Sequence, residues 1–389
     1  MVTSSRRRAD QLQRANHGRE GAKAISRQAA DSSVDNRGRH SGVVVARHED
    51  VAPSLRGSPL RSVALGLCVL GLFATTAMYA QSEAAYKAPR TPWGEPDLQG
   101  TYSNRTITPF ERPANVNGRE FFTREEAAAL EKRAQEQNGD EGRSKGTRGD
   151  VERAYNDFWW DRGTKVTSLR TSLVVDPPDG RVPPLTEAAK LRAADEAKRP
   201  AFRGAGATGR GTDSWLDRST FERCITRGMP AAMSPTAYNN NYRITQSPGY
   251  VAIAIEMLGG TRVIPTDGRA HVANAIRNWM GDSVGHWEGD TLVVDTTNFS
   301  EKTRFRGSTP NLHIVERFTR VDPKTLMYRF TIEDPDTWKK PWTAEYTWPA
   351  TDELLYEYAC HEGNYAMGNI LRGARLKEVN DAKKTSKQQ

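Results

Sequence analysis

The chain has 389 residues, of which 37% are hydrophobic and 27% charged, and carries a formal net charge of +8. That charge is uneven: residues 1–61 hold 12 Lys and Arg against 6 Asp and Glu, and the rest of the chain 44 against 42. A near-neutral body offers no basic stripe for a phosphate backbone, so nucleic acid is not an expected partner.

Residues 1–61 are rich in Arg, Ser, Asp and Gly and nearly free of aromatics, which reads as a disordered leader or a start codon set too early. Residues 62–80, SVALGLCVLGLFATTAMYA, form an uncharged apolar run that follows Arg56 and Arg61 and ends in small residues. This is the pattern of a signal-peptide core, with cleavage expected after Ala80. An uncleaved anchor is the alternative, because the run approaches the roughly 18 to 20 residues that span a bilayer. Cleavage predicts a periplasmic or secreted product with no stable membrane insertion. Two cysteines then remain, Cys224 and Cys360. An even pair in an exported chain predicts one disulfide, and two buried thiols are the alternative.

Residues 81–236 read as loop-rich cladding with short helices. The prolines of KAPRTPWGEPDLQGTYSNRTITPFERP preclude a helix and leave Trp93, Leu98, Tyr102 and Phe110 as anchors over a core. Thr123 and Glu126 form a capping box ahead of an alanine-rich helix to Gln137. Residues 138–150 read as a loop. The cluster Phe158, Trp159 and Trp160 is either buried packing or a pocket wall. A second helix is expected from Glu187 to about Lys198. Asp179-Gly180-Arg181 and Asp267-Gly268-Arg269 are tight turns whose glycines need positive φ. The Gly-rich loop 203–212 has neither the preceding strand nor the ending of a phosphate loop.

From 237 to 376 strand signals dominate. YRITQ, YVAIAIEM and TRVIPT are followed by the hairpin GHWEGDTLVVDTTNF, then by LHIVERFTRV, TLMYRFTIED, WTAEYTWPA and a last expected strand, LLYEYAC. The class is therefore mainly β, an antiparallel meander of eight or nine strands closing as a lipocalin-like barrel or, as second choice, stacking as a β-sandwich. Residues 377–389 are expected to be a disordered tail.

The phrases PRTPWGEPDLQGTYSN, LVVDPPDGRVPPLT, GDSVGHWEGDTLVVDTTNF, LHIVERFTRVD and YEYACHEGNYAMGNILRGAR resemble those of a family of exported bacterial proteins usually left as hypothetical. The resemblance covers roughly Pro89 to Arg375. It implies export and carries over no catalytic residue.

Four histidines lie beyond the apolar run, His271, His286, His313 and His361, and none forms a metal-ligand pattern, so no metal is expected. There is no G-x-S-x-G and no dinucleotide fingerprint, which argues against a serine hydrolase, a nicotinamide enzyme or any cofactor. On the strands, Asp295 shares a face with Val293, and Glu316 with Ile314 and Phe318. A charged residue on an apolar face is either inward and paired or at a strand end in water. If inward, Asp295, His313, Glu316, Arg317, Arg329, Tyr358 and His361 are the pool for a polar cluster. Two functions fit. One is binding of a small, partly apolar molecule, with Trp287, Trp342, Trp348 and Tyr358 as walls. The other is cofactor-free acid–base chemistry, such as isomerisation, hydration or elimination, in the same cavity by His361, His313, Asp295, Glu316 and Arg317.

Overall fold

The computed structural model describes residues 86–137, 161, 163–199 and 211–386. The leader, the apolar run with its cleavage point, the Phe158–Trp160 cluster and nearly all of the loops 138–150 and 203–212 lie outside the described residues. Among the described residues, ten strands form two antiparallel sheets. The smaller holds β1 (Gly100–Ser103), β3 (Asn241–Ser247), β4 (Tyr250–Ile255) and β5 (Thr261–Pro265), in the order β1-β3-β4-β5. The larger holds β2 (Val174–Asp176), β6 (Asp282–Glu288), β7 (Thr291–Thr297), β8 (His313–Asp322), β9 (Thr325–Glu333) and β10 (Trp342–Pro349), in the order β2-β10-β9-β8-β7-β6. Strands consecutive in the chain are neighbours from β3 to β5 and again from β6 to β10, the expected meander. Two strands, β1 and β2, come from the segment expected as cladding.

Alternation decides which side chains go inside. Ile314, Glu316 and Phe318 of β8, Leu326, Tyr328, Phe330 and Ile332 of β9, and Trp342, Ala344, Tyr346 and Trp348 of β10 are all buried. In register, Phe318 faces Tyr328, Tyr328 faces Tyr346 and Leu326 faces Trp348, so one aromatic layer runs across three strands. Tyr242 of the smaller sheet stacks on Trp348 with centroids 4.4 Å apart, which joins the two sheets face to face. Each buried ring of this kind contributes about 2 to 3 kcal/mol.

The sheets also meet at their margins. Tyr102 of β1 bridges Ala350 just past β10, and the Thr351 N–H donates to the Thr101 carbonyl at 2.9 Å. On the other side β5 lies beside β6 without a shared ladder. There Gly285 permits close approach, since a Cβ on it would stand 2.9 Å from Ile264 Cγ2.

Two helices start as expected. Helix α1 (Arg124–Gln137) is capped reciprocally by Thr123 and Glu126, and Thr186 caps α2 (Glu187–Lys198) by accepting from the Ala189 N–H. The turn glycines Gly180 and Gly268 have φ of 69° and 80°.

The expected strand LLYEYAC does not form, and Leu354 and Tyr356 stay exposed. Beside β10 its place is taken, with β9 on one side and, on the other, β2 followed by Leu173 and Thr167, which accept from the Glu345 and Thr347 N–H groups. The segment is held instead by side chains: Glu353 accepts from Arg105 at 2.8 Å and Asn241 at 3.2 Å, and the Tyr356 N–H donates to Glu256 at 3.0 Å. Nor do residues 377–386 form a tail, for helix α3 runs from Ala366 to Ser386 and none of its residues is buried. Lys377 with Asp381 and Arg375 with Glu378 pair along its surface, and Lys383 and Lys384 sit in its last turn, where the helix dipole favours cations. Trp93, expected as an anchor, is exposed, whereas Leu98 and Tyr102 are buried.

Candidate functional site

The β5–β6 margin encloses a cavity of about 370 Å³. Its walls come from the loop Ile225–Ala232, from Ile255 at the end of β4 and Met257 and Leu258 after it, from β5, and from Trp279 to Ser283 at the start of β6. Apolar walls supplied by Ile225, Ile255, Met257, Leu258, Trp279 and Met280 carry three charged groups, Arg227, Arg262 and Asp282.

Arg262 is inward on β5 because it shares a face with Ile264. Its guanidinium meets Glu316 of β8 in a bidentate pair, Nη1 to Oε1 at 3.0 Å and Nη2 to Oε2 at 2.6 Å. Nη2 also donates to Ser283 Oγ of β6 at 3.0 Å, and the Tyr328 hydroxyl donates to Glu316 Oε1 at 2.8 Å. Burial opposes the charge on Arg262, and Glu316 more than offsets it, so its pKa is raised. Burial first, and then the Glu316 carboxylate, push the Tyr328 phenol well above its ordinary value and keep it a donor. This network ties β5 to β6, β8 and β9 where the margin lacks ladder hydrogen bonds.

Asp282 opens a second chain of polar groups. Its Oδ2 faces His271 Nδ1 at 2.8 Å and accepts from the Val272 N–H at 3.0 Å. The other nitrogen of His271 faces Asp295 Oδ1 at 2.9 Å, and Asp295 Oδ2 faces His313 Nε2 at 2.7 Å. The line ends at Glu333, 3.8 Å from His313 Nδ1. It therefore leads from the cavity wall across the outer face of β7 and β8. Hydrogen bonding from Asp295, only partly opposed by burial, raises the pKa of His313. Burial opposes ionisation of Asp295, and the His313 and His271 contacts override it, so its pKa is lowered. An arrangement of this kind can hold or pass a proton between a cavity and solvent.

The pool of polar residues read from the sequence thus divides. Asp295 and His313 do meet, but on the outer face. Glu316 is inward and pairs with Arg262. Arg317 is outward and pairs with Glu288 at 2.5 Å, and Arg329 lies 3.6 Å from Glu345. Tyr358 stacks on Tyr238 with centroids 6.2 Å apart. His361 is exposed and borders a second, more open pocket of about 340 Å³ with Trp215, Cys224, Asn364 and Met367. Cys224 and Cys360 form a disulfide that tethers this corner.

The tryptophans also separate. Trp342 and Trp348 are fully buried in the aromatic layer, and Trp287 packs against the core from the side. None of the three borders either cavity; Trp279 does so in their place. Arg262 was legible in principle, since TRVIP places it on the face of Ile264. Arg227 and Asp282 carry no such signal, because Arg227 enters the cavity from an irregular segment and Asp282 from the very end of β6. Among the described residues, no group of three or more metal-ligating side chains is placed to hold an ion. No described helix is long and apolar enough to cross a membrane.

No protein-family model and no curated protein matches the chain. Among solved structures, a secretary abundant heat soluble (SAHS) protein from Ramazzottius varieornatus is similar at 12% identity and a TM-score of 0.21, over 34% of this chain and 87% of that one. A variant of the fluorescent protein UnaG is similar at 12% identity and a TM-score of 0.19, over 29% of this chain and 72% of that one. Likeness at these scores does not establish a shared fold.

Proposed function

We propose that this protein binds a small, partly apolar molecule in the cavity at the β5–β6 margin, and that its two sheets work as one barrel-like enclosure. The observation that carries the reading is the cavity itself, about 370 Å³ with apolar walls and a few fixed polar groups, which is the usual make-up of a ligand site. The barrel-like arrangement is supported by the Tyr102–Ala350 bridge on one side and the Arg262 network on the other. Export to the periplasm or medium is supported by the Cys224–Cys360 disulfide, which persists in oxidising compartments.

The test is native mass spectrometry of the protein purified from its host. A bound small molecule is expected, and it should be absent from Gly260→Trp. Gly260 borders the cavity with φ −78°, and a Cβ there meets nothing within 4 Å, so the indole fills space without backbone strain. A ligand retained equally by both proteins would place binding elsewhere.

A second reading, acid–base chemistry in the same cavity, is favoured by the Asp282–His271–Asp295–His313 line. In it Asp282 exchanges a proton with the bound molecule while His271 and Asp295 relay it. Exchange of ligand protons for deuterium, fast in the parent and slow in His271→Asn, is the outcome that reading requires.

A further inference from the structure

The charges around the cavity do not balance. Arg262 is neutralised by Glu316, and Asp282 is engaged by His271 and the Val272 N–H. Arg227 has no carboxylate within ion-pair distance among the described residues, and its one hydrogen bond is a long one, Nη1 to the Ser234 carbonyl at 3.3 Å. A guanidinium carries five donors, and the half-buried Arg227 leaves most of them without a protein acceptor among the described residues. Arg112, which is buried without an acid, shows the contrast: it donates to Thr171 Oγ1 and to the Gly118 and Pro178 carbonyls at 2.6 to 3.1 Å. Arg227 has no such cradle, and it borders the cavity.

We infer that the molecule held at the β5–β6 margin is an amphipathic anion, whose carboxylate or equivalent acidic head pairs with Arg227 and whose apolar body lies on Met257, Leu258, Trp279 and Met280. The inference rests on the binding role proposed above and adds the ligand's charge. Burial lowers the pKa of Arg227, and the phenols of Tyr242, Tyr346, Tyr238 and Tyr358 only partly counter it, so no protein group relieves the cation in full. An acidic head would do so, and a planar fork suits it in bidentate geometry. Arg227 is thus a binding residue whose anion arrives with the ligand.

The probes are anilinonaphthalene sulfonate and its uncharged parent, phenylnaphthylamine, titrated by fluorescence into the oxidised full-length protein. The parent protein should bind the sulfonate more tightly than the neutral compound. Arg227→Gln should weaken the sulfonate by roughly thirtyfold or more and the neutral probe by less than about threefold. Gly260→Trp should weaken both. The unfolding midpoint of Arg227→Gln without probe should equal or exceed that of the parent, because an uncompensated charge has been removed. Neutral binding with no sulfonate preference, or equal weakening of both probes by Arg227→Gln, overturns the anion and leaves the cavity standing. Failure of both probes to bind the parent protein overturns the cavity and the anion together. A lowered midpoint with unchanged sulfonate affinity makes Arg227 a structural residue and also overturns the inference.

Discussion

Replacing Glu316 by leucine removes the carboxylate on which the β5–β8 connection turns. Arg262 then loses both Nη contacts, at 3.0 and 2.6 Å, and the Tyr328 hydroxyl loses its acceptor at 2.8 Å. Side-chain exposure of Arg262 is 4% and of Glu316 is 0%, so water does not replace what is lost. Breaking a buried pair from one side costs about 3 to 5 kcal/mol, and an orphaned hydroxyl adds about 1 kcal/mol. Glu316→Leu should therefore lose about 4 to 6 kcal/mol, a large share of a typical domain's stability. Arg262→Met/Glu316→Leu together should lie within about 2 kcal/mol of the parent, because neither charge is then left unpaired. Urea unfolding followed by tryptophan fluorescence, with the disulfide oxidised and the slope against urea unchanged, gives all four corners of the cycle. A Glu316→Leu loss below about 1 kcal/mol, or a double variant equal to the sum of the singles, would refute the account.

Three further outcomes are expected. Cys224→Ser/Cys360→Ser should lose roughly 2 to 5 kcal/mol, since the bridge closes a sequence separation of 136 residues, and limited proteolysis should then cut first between 351 and 386. Equal stability of the oxidised parent and the variant would contradict this. The Asp295–His313 contact should stabilise most between the ordinary values of 3.8 and 6.5. The His313 contribution, from a raised pKa, is complete below 6.5 and lost as pH rises through the raised value, whereas the Asp295 contribution is complete above 3.8 and lost as pH falls through the lowered one. The gap in melting temperature between the parent and His313→Gln should accordingly be wide near pH 5 and narrow by about pH 9. Gly285→Val should lose about 1 to 3 kcal/mol through overpacking against Ile264, Thr266 and Leu292, and an unchanged midpoint would show that the β5–β6 approach is looser than described.

What the sequence determined by itself is local. Thr123 with Glu126, Thr186, and the Asp-Gly turns state helix starts and reversals through chemistry that acts over three or four residues. Alternation along β7 to β10 indicated which face of each strand is apolar and placed Glu316 on the face of Ile314 and Phe318, while leaving open whether that carboxylate is inward and paired or at a strand end in water. The tertiary structure alone decided the rest, because it depends on who stands opposite. Trp348 became core rather than cavity wall since Tyr242 and Tyr328 arrive from other strands to cover it, and Trp342 since Phe110, Phe330 and Trp338 do the same. LLYEYAC, with a strand's composition, stayed outside the sheet while residues 167–176, from far earlier in the chain, lie along the edge of β10. Asp295 met His313 only because β7 and β8 pair in one register, and His271 joined them from a loop that periodicity cannot place. The cavity's charges come from three separate segments, so their imbalance at Arg227 exists only in the folded chain.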